Sequence, residues 1–354
     1  MAATVESTRS DPSRYTFRRM AMGELRLAND LYNRCHHSDR SLSEAEWLYK
    51  DHPYGEAIVL GVLAANHELA AVLPAIAHRF VWDGREEIGY QLVDAVTAPE
   101  HRGRGLFGHL VELLCRMAEE QRFCVFAFPN QQSLSVYRKT GVLESLGAWE
   151  TRAKVFAWPA YARYKLGRDG RASAEQTPTS AAASLRSGDV SLIPVRRFES
   201  DFEEIHARVG KILNSFTLRR REFLNWRYFG SAHRHYAAAL IRRADRTEGY
   251  VVVRVIDRIA HVIDVFVTPD GQTARTAVRL LTRWARQMGA IAIYFSASGD
   301  NFIRRAFYRH GFLLKKRGGE IVLDPKSLRR LASLHQRPVV SDDFYFVMGD
   351  GDFH

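Results

Sequence analysis

Residues 94–110 read D-A-V-T-A-P-E-H-R-G-R-G-L-F-G-H-L, and the patterns on either side of this stretch decide the fold. An apolar run, residues 88–96, precedes the glycines and an amphipathic run starting at Leu106 follows them, so a strand, a tight turn and a helix are predicted. Glycine lets the backbone turn sharply and approach a ligand closely because it has no Cβ. The first amides and the dipole of the following helix favour an anion. The stretch therefore predicts a pyrophosphate-binding loop.

The glycine spacing also fits a dinucleotide-binding motif, since Gly103-x-Gly105-x-x-Gly108 has the form G-x-G-x-x-G. That motif expects an acidic residue about 20 residues further on, at the end of a strand. Residues 123–130 instead read F-C-V-F-A-F-P-N, and several strand-like runs come before the loop. A dinucleotide-binding unit is therefore disfavoured.

The loop resembles the acetyl-CoA loop of the GNAT superfamily (GCN5-related N-acetyltransferases), whose pattern is R/Q-x-x-G-x-G/A. Arg102 and Gly105 match this pattern, whereas Phe107 stands where the family usually has Gly or Ala. The resemblance implies that acetyl-CoA or another acyl-CoA is the co-substrate, with no metal. It implies that the amides of Val96 and Thr97 hold the acyl carbonyl oxygen. The implied cofactor-binding residues in this region are Val96, Thr97, Arg102, Gly103, Arg104, Gly105, Leu106, Phe107 and Gly108.

A second segment, residues 130–141, reads N-Q-Q-S-L-S-V-Y-R-K-T-G and resembles the GNAT pattern N-x-x-[A/S]-x-x-x-Y-x-x-x-G. In that family the Asn lines the path of the pantetheine or nucleotide, and the Tyr hydroxyl lies beside the thioester sulfur. The resemblance makes Asn130 and Ser133 cofactor-binding residues and Tyr137 the general acid that protonates the departing thiolate. A phenol with an ordinary pKa of about 10 is protonated at neutral pH, so it is able to donate this proton.

Acylation of an amine also needs a base or a water relay, because the attacking nitrogen must be uncharged. Asp94, at the end of the strand before the loop, is one candidate, with a purely structural carboxylate as the alternative. The acidic C-terminal stretch supplies Asp350, Asp352 or the terminal carboxylate as further candidates. The analogy is with enhanced-intracellular-survival acetyltransferases, which use their C-terminal carboxylate, and a solvated tail is the alternative there. No Cys or Ser lies in a nucleophile setting, so direct transfer to the amine is expected.

The order of strands and helices recurs in the second half of the chain. The offset is 170 residues for three landmarks and 171 for a fourth: Asp94 and Asp264, Pro99 and Pro269, Gly141 and Gly311, and then Asn130 and Asn301. These offsets predict an internal duplication. After Pro269 the second copy reads D-G-Q-T-A-R-T-A, which lacks the glycine loop.

The predicted fold class is α/β, with two GNAT-like mixed-sheet domains in tandem. The predicted divisions are a disordered N-terminus at 1–14, a GNAT domain binding acyl-CoA at 15–158, a linker at 159–188, and a degenerate GNAT-like domain at 189–354 that serves as scaffold or substrate half.

Composition limits the partners. The chain has 354 residues, a formal net charge of +11 and 46% hydrophobic residues, which fit a folded protein that favours acidic partners. It contains no apolar run long enough to span a membrane and no signal-peptide pattern, and its three cysteines lack metal-ligand spacing. We therefore expect a cytoplasmic protein without a membrane or metal partner, and the oligomeric state stays open.

The leading functional hypothesis is an N-acyltransferase that moves an acetyl or related acyl group from acyl-CoA to a primary amine of a small metabolite or amino sugar. The alternative is a tRNA-dependent aminoacyl transferase of the Fem type, and a third hypothesis is a non-catalytic acyl-CoA-binding regulator. Nucleic acid is disfavoured as a partner, because Fem-type enzymes generally lack an intact CoA loop. The basic clusters that favour it are Arg219-Arg220-Arg221, Arg242-Arg243, Arg304-Arg305 and Lys315-Lys316-Arg317.

Overall fold

The computed structural model describes residues 15–82, 84–167, 183–200, 202–213, 215–231 and 234–351, and they form two compact units. Unit 1 takes the described residues up to His78, together with Ile88–Ser145 and Val322–Leu334. Unit 2 takes Arg79–Glu87, Leu146–Ile321 and the described residues from His335 onward. The units thus interleave along the chain, whereas the sequence suggested contiguous halves.

Unit 1 combines strands of a mixed sheet with helices. The strands that lie in it wholly or in part are β1 (Tyr15–Arg19), β2 (Ile58–Ala64), β3 (Leu69–Trp82), β4 (Arg85–Leu92), β5 (Val96–Thr97), β6 (Cys124–Ala127), β7 (Glu144–Val155) and the end of β15 (Leu313–Leu323). Its helices are α1 (Leu25–His36), α2 (Leu42–Tyr49), α3 (Leu106–Gln121), α4 (Gln131–Thr140) and α10 (Pro325–His335).

The sheet of unit 1 has the order β1-β2-β3-β4-β6-β15. Strands β1, β2 and β3 are antiparallel neighbours, whereas β4 and β6 are parallel and are connected through α3. The four residues of β6 are all buried, as the continuous apolar run C-V-F-A predicts. The buried stripe of α3 packs on this sheet, and its residues recur at helical spacing: Leu106, Leu110, Val111, Leu114 and Ala118.

Unit 2 contains further strands of mixed sheet and its own helices. Besides the rest of β7 and β15, its strands are β8 (Leu185–Ser187), β9 (Val190–Val195), β10 (Ser215–Thr217), β11 (Ala237–Arg243), β12 (Arg246–Ile256), β13 (Ile259–Val267), β14 (Ala292–Ala297) and β16 (Phe344–Tyr345). Its helices are α5 (Trp158–Lys165), α6 (Glu203–Val209), α7 (Arg221–Phe229), α8 (Gly271–Gln287) and α9 (Phe302–Arg309).

The central order in unit 2 is β9-β11-β12-β13-β14-β7. The parallel pair β13 and β14 is connected through α8, as β4 and β6 are through α3. The predicted mixed α/β fold is confirmed. In the part of the chain that the structure describes, no helix has both the length and the apolar content needed to cross a bilayer.

Each unit completes its sheet with a strand from the other half of the sequence. In unit 1, Val322 and Leu323 of β15 pair antiparallel with β6. In unit 2, residues 150–155 of β7 pair antiparallel with β14. The expected linker at 159–188 also differs from the prediction, because it contains α5 up to Lys165 and the strand β8.

A fully buried ion cluster lies in the core of unit 2. The Arg219 side chain has no solvent exposure, and its guanidinium donates to Oδ1 of Asp264 at 3.1 Å and to Oδ2 of Asp350 at 2.8 Å. The hydroxyls of Tyr228 and Tyr250 donate to Oδ2 of Asp264 at 2.9 and 2.8 Å. These bonds compensate for the removal of the charges from water.

Unit 1 contains a similar cluster. The Arg40 guanidinium donates to Oδ2 of Asp94 at 2.6 Å, and the Tyr49 hydroxyl donates to the same oxygen at 2.5 Å. Arg40 and Arg219 are separated by 179 residues, as are Tyr49 and Tyr228. The same three residue types therefore make the same contacts in both units.

We expect Arg219→Met to reduce the free energy of unfolding by about 3–5 kcal/mol, because it leaves two buried carboxylates without a cation. Burial already raises the pKa of Asp350, and removing Arg219, whose charge lowers it, raises that pKa further. The folded variant then binds a proton more readily than the unfolded chain, so the loss grows as the pH rises above about 4. Denaturant unfolding at several pH values measures this.

The matched control is Arg40→Met, which removes the equivalent cation in unit 1. Its carboxylate partner keeps 11% side-chain exposure, so a smaller loss is expected. Equal losses in the two variants, or a loss in Arg219→Met that does not change with pH, would contradict the assignment.

Candidate functional site

The strands β4 and β6 part at their carboxyl ends. Their parallel register runs from Gly89–Cys124 to Leu92–Ala127. After Leu92 the chain follows β3 instead, since the amide of Val93 donates to Pro74 O at 3.1 Å and β5 then pairs with β3. The chain after β6 leaves the sheet for α4. We name the place where these parallel strands part the cleft; it lies at the carboxyl ends of the strands, which is where open α/β sheets bind ligands.

Asp94 lies where the strands part. It has a left-handed backbone with φ 48°, which is unusual for a residue with a side chain. Its carboxylate is held by Arg40 and Tyr49, whose side chains are mostly buried. The guanidinium of Arg40 also lies 3.8 Å from the centre of the Tyr32 ring. These contacts favour a structural role for Asp94 over the predicted role of general base.

The glycine loop adopts the conformation that the sequence predicts. Gly103 and Gly105 have φ values of 75° and 73°, in the left-handed region that glycine adopts without strain. Gly105 is the N-cap of the 16-residue helix α3 and supplies no side-chain acceptor to its first amides. Exposed Arg102 and Arg104 flank it, and their guanidiniums donate to backbone oxygens of the same loop. The start of α3 is therefore positively charged, and its glycine N-cap offers the first amides no side-chain acceptor.

Gly108 has a different setting from the other two glycines. It is buried in the first turns of α3, and a Cβ there would lie 3.7 Å from Cγ2 of Thr140 and 3.9 Å from Cγ1 of Val136. These are ordinary packing distances. Gly108 therefore lies where α3 passes α4, and its contacts are with that helix.

Tyr137 lies on α4 and is 2% exposed. Its ring packs 5.6 Å from that of Phe107, within the core of unit 1. The hydroxyl forms no hydrogen bond with any residue that the structure describes. Burial raises the pKa of this phenol well above its ordinary value, so it stays protonated at neutral pH. Phe107, at a position where the family usually has Gly or Ala, thus packs on the ring of Tyr137.

Asn130 and Ser133 fix the start of α4. Asn130 is the N-cap, and its Oδ1 accepts from the Ser133 amide at 2.9 Å and from the Ser133 hydroxyl at 3.1 Å. Both residues lie just beyond the carboxyl end of β6, where Asn130 is exposed. Their first role is therefore to cap a helix at the rim of the cleft.

The comparisons with known proteins agree with this geometry. Residues 16–143 match the model of the family described as "Acetyltransferase (GNAT) domain". This part of the chain is a GNAT domain. It holds the loop, Val96, Thr97 and Asp94 as well as the two capping residues and Tyr137. No protein in the curated set matches the sequence.

Solved structures share the fold over most of the chain. A conserved protein of Enterococcus faecalis, titled a probable N-acyltransferase, has 14% identity and a TM-score of 0.62 over 87% of this chain and 71% of its own. A GCN5-related N-acetyltransferase of Anabaena variabilis gives 14% and 0.62, with 88% and 72% covered. The N-myristoyltransferase of Saccharomyces cerevisiae, solved with bound myristoyl-CoA, gives 11% and 0.58, with 88% and 83% covered.

The equivalent helix start in unit 2 is closed. The N-cap of α8 is Asp270, whose carboxylate accepts from the amides of Gln272 and Thr273 and pairs with Arg243 at 2.7 Å. Its hydrogen bond from the Thr273 hydroxyl lowers the pKa of Asp270, so the carboxylate is charged at neutral pH. An anion of the chain itself thus occupies the position where a phosphate would bind in the GNAT domain.

The cleft between β13 and β14 is also filled. The parallel register of these strands ends at Val262–Phe295. Beyond it, Val347 bridges Ala297, and the amide of Ser298 donates to Phe346 O at 2.9 Å. On the other side, the hydroxyl of Tyr345 donates to Val265 O at 2.6 Å. Residues 344–349 therefore lie between the two parted strands.

The C-terminal candidates for a base are placed as follows. Asp350 is 2% exposed, bonded to Arg219 and to the amide of Val347, so it is neither a solvated tail residue nor an accessible base. Asp352 lies outside the described residues.

In unit 2 the residue buried at the place of Tyr137 is Phe307, whose ring stacks on that of Phe295 with the ring centres 3.8 Å apart. Among the described residues, no group of His, Cys, Asp and Glu side chains is arranged to hold a metal ion.

The sequence analysis missed Arg40 and Tyr49, which position Asp94. Each is matched in unit 2 at an offset of 179 residues, while the landmarks used to find the repeat lie at 170 and 171. A search that allowed the offset to change along the chain would have found them.

We expect Gly105→Asp to weaken acyl-CoA binding at least tenfold, because it gives α3 the same carboxylate cap that Asp270 gives α8. Calorimetric titration with desulfo-CoA measures this. The matched control is Gly105→Asn, which has the same shape and tolerates a left-handed backbone but carries no charge. If the two variants bound equally, the charge argument would be wrong.

We also expect a single acyl-CoA to bind per chain, since the start of α8 is capped and the cleft of unit 2 is filled. The same titration gives the stoichiometry. Asp270→Ala removes the cap but leaves residues 344–349 in place, so it should still bind one molecule. A second molecule bound by this variant would show that the cap alone closes the unit 2 site.

Proposed function

We propose that the chain is an acyl-CoA-dependent N-acyltransferase that transfers an acyl group, acetyl in the first instance, to a primary amine of a small metabolite or amino sugar. One observation carries the proposal. A helix start whose N-cap has no side-chain acceptor follows the point where β4 and β6 part, and the same GNAT domain contains a buried tyrosine, Tyr137, whose hydroxyl has no hydrogen-bond partner among the described residues.

The loop residues supply the charge and the amides for the pyrophosphate of acyl-CoA. Arg102 and Arg104 are exposed beside Gly103 and Gly105, and guanidinium groups suit phosphate oxygens. The cleft between the strands gives the pantetheine arm a path lined by backbone groups. Thr97 and Val96, at the end of that path, are assigned to the acyl carbonyl oxygen, as the family resemblance implies.

Tyr137 is assigned the proton that the leaving group needs. The amine nitrogen attacks the thioester carbonyl, the carbon–sulfur bond breaks, and the Tyr137 hydroxyl donates its proton to the departing thiolate sulfur. The acylated nitrogen loses its proton to water. The raised pKa means that the hydroxyl is protonated at neutral pH, as a general acid must be before it donates. Asp94 is assigned a positioning role, holding the bend at which the cleft opens.

We assign unit 2 the role of a substrate-binding half. It contains a cavity of about 240 Å³ lined by carboxylates and apolar side chains. Of the carboxylates, Asp300 pairs with Arg305 and Asp343 with Arg337, whereas Asp342 has no pairing cation in the part of the chain that the structure describes. An exposed carboxylate beside apolar side chains suits an amine that also carries apolar groups.

The contacts of the arginine clusters do not favour the Fem-type alternative. Arg219 is fully buried, Arg220 pairs with Glu86, and Arg304 pairs with Glu150. Arg243 pairs with two aspartates, and Arg305 and Arg317 also pair with acidic residues. Most of the charge expected to contact RNA is therefore used within the fold.

We expect Tyr137→Phe to lower kcat by roughly 10²–10⁴-fold while the affinity for desulfo-CoA stays unchanged, because the ring remains and only the proton donor is lost. Thiol release from acetyl-CoA with a panel of primary amines measures the rate. In the wild type, the raised pKa keeps this tyrosine protonated as the pH rises, so its deprotonation should not lower the rate at any pH up to about 10, the ordinary pKa of a phenol.

The matched control is Tyr308→Phe, which removes a hydroxyl on the equivalent helix of unit 2, 3.4 Å from Glu150. Its rate should equal that of the wild type. Unchanged turnover in Tyr137→Phe would remove the general-acid assignment, and desulfo-CoA binding without turnover of any amine would favour a non-catalytic acyl-CoA-binding protein.

A further inference from the structure

A basic and apolar surface of unit 2 has no place in the proposed reaction. We name it the α5 patch and define it as Trp158, Tyr161, Lys165 and Leu166 from the end of β7 onward, with Leu313, Lys315 and Lys316 at the start of β15. Three of its apolar side chains are unusually open to solvent. Trp158 is 64% exposed, Leu166 65% and Leu313 69%.

Contacts join the two segments of the patch. The Tyr161 hydroxyl lies 2.7 Å from the Tyr294 hydroxyl, and Nζ of Lys315 lies 4.2 Å from the centre of the Tyr294 ring. The Trp158 ring packs 6.2 Å from that of Tyr161. Tyr294 therefore bridges α5 and β15 through Tyr161 and Lys315, and the exposed side chains around these two residues lie near one another.

The cations of the patch are not neutralised. Within the described part of the chain, no acidic side chain pairs with Lys165, Lys315 or Lys316. Burial lowers the pKa of Lys315, and the nearby charges of Lys165 and Lys316 lower it further. Arg219, Arg220, Arg243, Arg304 and Arg305 pair with carboxylates of the chain, whereas these three lysines leave their charge open to an external anion.

The mixture of side chains selects the kind of anion. Lysines beside exposed Trp and Leu are the composition of surfaces that lie at the boundary between lipid headgroups and acyl chains. A nucleic acid would pair with the lysines but would leave Leu166 and Leu313 in water. Trp158 and Leu166 lie at the two ends of α5, about 12 Å apart at 1.5 Å per residue. The apolar groups thus flank the cations.

We propose that the α5 patch docks on an anionic lipid membrane, its lysines contacting the headgroups and its Trp and Leu side chains entering the headgroup boundary. The sequence predicted no membrane partner, because it contains no spanning segment. Peripheral docking needs none, since it uses exposed side chains on a folded surface. The proposal is independent of the acyl transfer assigned to the GNAT domain.

The test is co-sedimentation of the full chain with vesicles of phosphatidylcholine alone and of phosphatidylcholine mixed with phosphatidylserine. We expect binding to the mixed vesicles only, weakened at least tenfold by Lys165→Glu with Lys316→Glu. Leu166→Ser with Leu313→Ser should weaken the binding that remains at high salt. The matched control is Lys211→Glu with Arg283→Glu, two exposed residues elsewhere in unit 2 with the same change of charge, and it should bind as the wild type does.

Desulfo-CoA titration and circular dichroism show that each variant is folded. Equal binding of the reversal and control variants, or no binding to mixed vesicles, would overturn the proposal. Binding of an RNA duplex in place of vesicles, lost in the reversal variant, would assign the patch to nucleic acid instead. Self-association that the leucine variant abolishes would assign it to a second copy of the chain.

Discussion

In the GNAT domain, a carboxylate held by an arginine and a tyrosine lies where two parallel strands part. Asp94 adopts a left-handed backbone there, which costs free energy, and the charge-assisted bonds from Arg40 and Tyr49 offset that cost. Because the chain turns towards β3 at this point, it no longer pairs with β6. The cleft, the direction of the glycine loop and the free start of α3 all depend on that turn.

The same arrangement of a carboxylate, an arginine and a tyrosine occurs in unit 2, but there the helix start and the space between the strands are closed. Asp264 is held by Arg219 and Tyr228, and β13 and β14 also part near it. There the helix start is capped by Asp270, and residues 344–349 fill the space between the strands. The recurrence of these residue types supports the internal duplication inferred from the sequence. The differences support a division into one half that binds the cofactor and one that does not.

The local features of the fold could be predicted from the sequence because they depend on short-range patterns. The glycine loop and the apolar run of β6 are each specified by residues that are close in the sequence. The partner of a strand is not specified by nearby residues, since the edges of β6 and β14 accept any extended segment with the correct side-chain alternation. The exchange of β7 and β15 was therefore missed. Asp350 was misjudged because its acidic, glycine-rich surroundings resemble a tail, whereas the apolar residues 344–347 just before it are buried.

The exchanged strands also affect the order in which the chain is able to fold. The edge of β6 is covered by Val322 and Leu323, and Asp324 continues that contact with bonds to both the amide and the carbonyl of Val125. Almost two hundred residues separate the two segments, so the GNAT domain, although synthesised first, stays incomplete until most of the chain has been made. Until then it exposes an apolar strand edge, which is a site of aggregation in partly synthesised chains. A gene fragment that encodes only the first half would carry that exposed edge permanently.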